Sequence, residues 1–211
     1  MRWRTLAGFM PVFLLTGVMP RTFGAERFNS IDPNEGWKLT SESKDLAIYS
    51  RAHAGSGLKE FRAIGSIDAP TYSVHAVIED FENYPAFMPY TIECQLIKRE
   101  ICEDRDYTLR VWKKSWPTPD GVTYLSRWEP ANELGPAEKR GVIRVKICDG
   151  GWLLEPNGEI KTRATYSIYT DTGGMIPAFI ANGASRVGIS KLFEAVRKQV
   201  KNPKYALRAG L

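Results

Sequence analysis

With 211 residues, 43% apolar and 25% charged, the chain has room for one domain with a sizeable core plus a leader, in a composition ordinary for soluble globular proteins. The formal charge of +5 and pI near 9.1 are spread along the chain without the dense Lys/Arg run of a nucleic-acid-binding arm. They describe a solvated surface able to meet anionic lipid head groups. Three Cys (94, 102 and 148) and two His (53 and 75) form no CxxC pair and no zinc-ligand spacing, and the odd count argues against a disulfide framework.

Residues 1–4 carry two Arg, residues 5–18 are an apolar run broken by Pro11, and Thr22, Gly24 and Ala25 supply small residues for cleavage. A positive start, a short apolar middle and a small-residue end predict a secretory signal peptide over 1–25, and with it a periplasmic or secreted location. An uncleaved anchor is the alternative, although the run falls short of the roughly 20 residues of a spanning helix. The mature chain, 26–211, then reads as one domain with a core over about 37–201.

Asp32 before Pro33 predicts a capped helix start, and 31–43 a short helix or turn carrying Trp37. After a turn at Lys44-Asp45, 46–51 alternates as a strand. Gly55 and Gly57 break it, and 58–67 returns as the second arm of a hairpin. Asp68-Ala69-Pro70 opens a helix that stops near Asn83-Tyr84-Pro85. Segments 94–100 and 107–113 read as another hairpin, and 122–128 as a strand after the turn Pro119-Asp120-Gly121. A polar loop covers 132–140. Strands follow at 142–147, 151–155 and 162–170, with turns at Asp149-Gly150 and Asn157-Gly158.

From Pro177 to about residue 201 the period becomes helical, with Ile180, Ala184, Val187, Leu192, Ala195, Val196 and Val200 on one stripe and Pro203 as terminator. Strands, a helix, more strands and one long closing helix make an α+β plan, not a parallel sheet. The last helix is the element long enough to cover the antiparallel sheet. Any gap left between them is a candidate ligand site.

Here the residues carry a likeness. Residues 139–144 (KRGVIR), 162–182 (TRATYSIYTDTGGMIPAFIAN, with Gly174, Pro177 and Asn182) and 80–89 (DFENYPAFMP) together resemble the START lipid-transfer domains of the helix-grip superfamily. The resemblance implies a curved antiparallel sheet wrapped around the long C-terminal helix, with an internal cavity for a lipid or other hydrophobic small molecule. It implies a movable lid formed by the loop 129–140 and the first turns of the last helix. It also implies an inward Arg near the ligand's polar end, best matched by Arg127, for which the preceding strand offers no clear acidic partner. By the same resemblance, Ile143, Val145, Ile147, Tyr166 and Ile168 face inward, with Met175, Ile176, Phe179, Ile180 and Gly183 as the roof.

The residues show no catalytic triad, phosphate-binding Gly loop or His-Glu-x-x-His. The expectation is a monomeric, non-catalytic carrier without cofactor or metal that touches an anionic membrane surface transiently. The alternatives are a helix-grip enzyme of cyclase or hydrolase type acting on a hydrophobic cyclic substrate, and a dry core, its gap filled by Trp and Phe, with a protein-binding surface.

Overall fold

Alternation of apolar and polar residues builds most strands of the computed structural model, which describes residues 31–89, 91, 93–95, 99–102, 105–171, 173 and 177–206. The expected leader at 1–25 and the expected roof residues Met175 and Ile176 lie outside the described residues. Asp32 caps a single 3-10 turn, Pro33–Glu35, accepting from the Asn34 amide at 2.8 Å.

Strand β1 (Lys38–Ser43) follows where the sequence predicted helix or turn. Its polar residues fit an edge strand with little apolar signal, and it pairs back onto β2 (Leu46–Ala52) around the expected Lys44-Asp45 turn. β3 (Lys59–Ile67) completes the predicted hairpin with β2. Helix α1 (Thr71–Ile78), a 3-10 turn and the four-residue helix α2 (Tyr84–Phe87) come next.

The region 93–118 departs from the predicted hairpin. β4 (Glu93–Gln95), β5 (Arg99–Cys102) and β6 (Arg105–Tyr107) form a small sheet that β9 (Ile143–Arg144) joins in parallel. β7 (Leu109–Thr118) instead pairs along its whole length with β8 (Gly121–Pro130). The tight turn at Pro119-Asp120 sets that register, because the nearest partner needs the shortest loop.

The predicted turn at Asp149-Gly150 is absent. One continuous strand, β10 (Ile147–Pro156), runs through it. Gly150 lies directly across from Trp128, and a Cβ there would come within 2.6 Å of the indole. This glycine makes room for an aromatic ring, a use of glycine inside strands that reads from sequence like a turn. β11 (Thr162–Asp171) ends the main sheet, ordered β1-β2-β3-β11-β10-β8-β7 and antiparallel throughout.

Helix α3 (Ala178–Gln199) crosses one face of this sheet. Its buried stripe is Ile189, Phe193, Val196 and then Val200. The predicted stripe shifts accordingly: Ile180, Ala184 and Val187 are exposed. Only the second half of α3 packs on the sheet centre and α1, against Ile48, Phe61, Ala63, Val74, Val77, Trp152 and Leu154. Arg197 fastens this end by donating to the carbonyls of Ser66 and Asp45. Among the described residues no helix is long and apolar enough to cross a membrane.

Candidate functional site

Side chains alternate across each strand, so one face of the sheet collects Ser126 and Trp128 from β8, Cys148 and Trp152 from β10, and Tyr166 and Ile168 from β11. Leu109 and Val111 of β7, the end of α1 at Ile78 and Glu79, the turn with Phe81, and Leu192 of α3 close a recess of about 180 Å³ over this face. Its wall is aromatic. Trp152 and Tyr166 lie 4.7 Å apart, and Trp128 and Tyr166 lie 6.0 Å apart. Trp152 also packs on Phe193 at 5.3 Å, so one ring belongs to both recess and core.

The recess has a polar end. Ser126 donates to Glu79 Oε1 at 3.1 Å, and Lys113, directly across from Ser126 on β7, donates to Glu79 Oε2. His75 Nε2 stands 3.9 Å from Oε1, and its ring stacks on Tyr124 at 4.1 Å. Burial holds His75 below its ordinary pKa; Glu79 pulls it back up and Lys113 pushes it further down. A carboxylate anchored by an ammonium, with a hydroxyl beside it, at one end of an apolar wall can orient a molecule with a polar head.

The structure brings only some of the predicted residues together. Tyr166 and Ile168 line the recess. Arg127 alternates with Ser126 and Trp128 and so lies on the opposite face of the sheet, across from Trp112 and Gly151. Ile143, Val145 and Ile147 do not share a row, because the chain leaves strand geometry at 145–146. Ile143 belongs to the small sheet, and Val145 is buried with its amide on the Asp106 carbonyl. Ile147 faces away from the row begun by Cys148. Phe179 and Ile180 are 76% and 50% exposed, and Gly183 lies beside Phe179 at a separate recess.

Reasoning from sequence missed Glu79, Lys113 and Ser126. Lys113 and Ser126 become neighbours only through the β7–β8 register, and Glu79 reaches them from the end of a helix 34 residues earlier than Lys113. Among the described residues no group of three or more His, Cys, Asp or Glu is placed to hold a metal ion.

No family model matches the chain. An uncharacterized protein of Pseudomonas aeruginosa is 28% identical over 162 residues, which cover 70% of this chain and 78% of that protein. Phosphatidylcholine transfer protein of Mus musculus is 21% identical over 180 residues, covering 79% and 84%. Among solved structures, a STAR-related lipid transfer protein fragment from Xanthomonas axonopodis superimposes with a TM-score of 0.68 at 23% identity, covering 79% of this chain and 99% of that one. Human StAR-related lipid transfer protein 5 superimposes with a TM-score of 0.71 at 17% identity, covering 84% and 90%.

Proposed function

We propose that this chain, whose fold is the helix-grip fold of the START domains, binds a lipid-like molecule and carries it between surfaces without making or breaking a bond. The observation that carries the reading is the recess itself, an aromatic and aliphatic wall with Glu79 and Ser126 at one end and Lys113 bonded to Glu79. Its likeness to phosphatidylcholine transfer proteins over four-fifths of the chain supports the same ligand class.

Each methylene moved from water onto that wall contributes about 0.8 kcal/mol. The recess is smaller than the roughly 300–1,000 Å³ of ordinary ligand pockets, because Trp152 and Phe193 fill the sheet centre under α3. A whole acyl body therefore needs a wall to move. Of α3 only Leu192, in the packed half that begins at Ile189, walls this recess, while Phe179, Ile180 and Val187 of the first half are exposed and stand outside it. Movement at an anionic membrane surface, which the basic surface favours, opens the recess where the lipid is.

The test is to incubate the purified protein with phosphatidylcholine vesicles, re-isolate it, extract it with organic solvent and weigh the extract by mass spectrometry. One unaltered apolar molecule per chain is expected. Ile168→Trp, which fills the recess, lowers occupancy on the order of tenfold or more, as loss of a few methylene contacts does. Failure to recover lipid from the native protein, or recovery of a chemically altered one, overturns the reading.

We place this exchange outside the cytoplasm, on the strength of the leader at 1–25. N-terminal sequencing of the cell-fractionated protein checks it, with a start near residue 26 expected and an intact Met1 counting against it.

A further inference from the structure

A second recess, of about 380 Å³, lies on the other side of the long helix, between the first turns of α3 and strands β1–β3. It falls within the size range of ordinary small-molecule pockets. Its floor is Phe61, buried in the core cluster, and its outer rim is the exposed ring of Phe179. Gly183 leaves it open from above: a Cβ at that position meets nothing within 4 Å.

Its polar groups are of one kind. The Ser50 side chain lines it, is only 3% exposed and has no hydrogen-bond partner among the described residues. Thr40, beside it, is different, since its hydroxyl already donates to the Ile48 carbonyl at 2.9 Å. Lys59 and Arg186 supply two cations that make no ion pair with any described residue, and no Asp or Glu is among the described lining residues. The positive end of the α3 dipole adds to the same sign. The Ser50 hydroxyl is reached from the recess, so it can bond a ligand there in place of solvent. Asn182 keeps the helix start at this distance from the sheet, accepting from the Lys59 amide at 3.0 Å and donating to the Gly57 carbonyl at 3.2 Å.

We infer that this recess is a second binding site, for a small amphiphile with an anionic carboxylate or phosphate head. The head sits between Lys59, Arg186 and the Ser50 hydroxyl, and the apolar body lies on Phe61 under Gly183. The site goes beyond lipid carriage in the first recess and does not depend on it.

Calorimetric titration of the full-length mature protein with dodecanoate, and separately with dodecanol, tests the inference. Dodecanoate binds on the order of tenfold or more tightly than the alcohol, the worth of one or two charge-assisted hydrogen bonds. Lys59→Gln with Arg186→Gln removes that preference and leaves dodecanol binding unchanged. Ser50→Ala weakens dodecanoate severalfold. Gly183→Leu fills the open space, abolishes both titrations and leaves lipid occupancy of the first recess intact, whereas Ile168→Trp does the reverse.

Vesicles of phosphatidylglycerol separate the two sources of such a head. Binding to free dodecanoate identifies a free fatty carboxylate, and Ser50- and Lys59-dependent binding to the vesicles alone identifies a membrane lipid head group. Equal affinity for acid and alcohol, or indifference to the Lys59, Arg186 and Ser50 substitutions, overturns the site.

Discussion

Gly65 and Phe193 show how one residue sets where α3 lies. Phe193 is fully buried, and its ring occupies the space that a side chain at position 65 would take. A Cβ on Gly65 would stand 2.7 Å from Phe193 Cε1 and 3.0 Å from the Asp45 carbonyl oxygen. Gly65→Ala is therefore expected to cost about 1–3 kcal/mol, as overpacked cores do. Phe193→Ala is expected to cost about 3–5 kcal/mol. Because the two residues share one volume, their costs do not add, and Phe193→Leu recovers part of the loss in a Gly65→Ala background. Urea unfolding of the native protein, Gly65→Ala, Phe193→Leu and their double variant measures this coupling, and strictly additive losses would contradict it.

Between strands, an element-scale clamp holds the loop 131–142 at its base. Arg144 of β9 donates to both carboxylate oxygens of Asp106 on β6, at 2.6 and 3.0 Å, and to the Pro136 carbonyl at 3.0 Å. Asn132 closes the other end, accepting from the Thr108 amide and donating to the Val145 carbonyl, each at 2.8 Å. The loop expected to serve as a lid, 129–140, is thus tied near its start by Asn132 and at its middle through the Pro136 carbonyl. The ion pair is 8% and 3% exposed. Asp106→Ala leaves a buried guanidinium without its carboxylate and is expected to cost about 3–5 kcal/mol, whereas Asp106→Leu with Arg144→Met restores most of it. Equilibrium unfolding decides this, and a single-variant cost below about 1 kcal/mol would show that the pair behaves as a surface one.

Across the whole molecule, stability carries a pH signature with a definite sign. Burial, against the pull of Glu79 and with the push of Lys113, leaves folded His75 below its usual 6.5. Below that pH the unfolded chain takes up a proton that the folded one refuses, so stability falls with pH. Glu60 and Asp80 sit below ordinary carboxylate values. Burial raises both, but Glu60 is outweighed by bonds from His53 and Arg51, and Asp80 by bonds from Lys204, Tyr205 and Asn83. Their contribution is complete above the usual carboxylate pKa and is lost as pH falls through their folded values. Asp149, raised by burial and by Glu129, works the other way and regains stability in acid. His75→Phe keeps the stack on Tyr124 and is expected to flatten the decline in urea midpoint between about pH 7 and pH 5. Glu60→Gln is expected to flatten the decline below the usual 4.5. A His75→Phe profile identical to the native one would remove His75 as the cause of the first limb.

The elements legible from sequence were those whose signal is local. The capped start at Asp32, the hairpin of 46–51 with 58–67, the strand at 162–170 and the long closing helix each rest on period, turn chemistry or a proline within a few residues. From these the α+β plan follows; the likeness to START domains rests on residues 80–89, 139–144 and 162–182, and it is the likeness that implies an inward Tyr166 and Ile168.

Tertiary structure alone decided the rest, because parity and pairing depend on partners far away in the chain. One register places Ser126 inside and Arg127 outside. Gly150 reads as a turn until Trp128 is laid across it. Glu79, Lys113 and Ser126 become the polar end of a recess only when a helix end meets a hairpin. Ser50, an ordinary strand serine in the sequence, becomes part of a recess only once α3 has been set down above it.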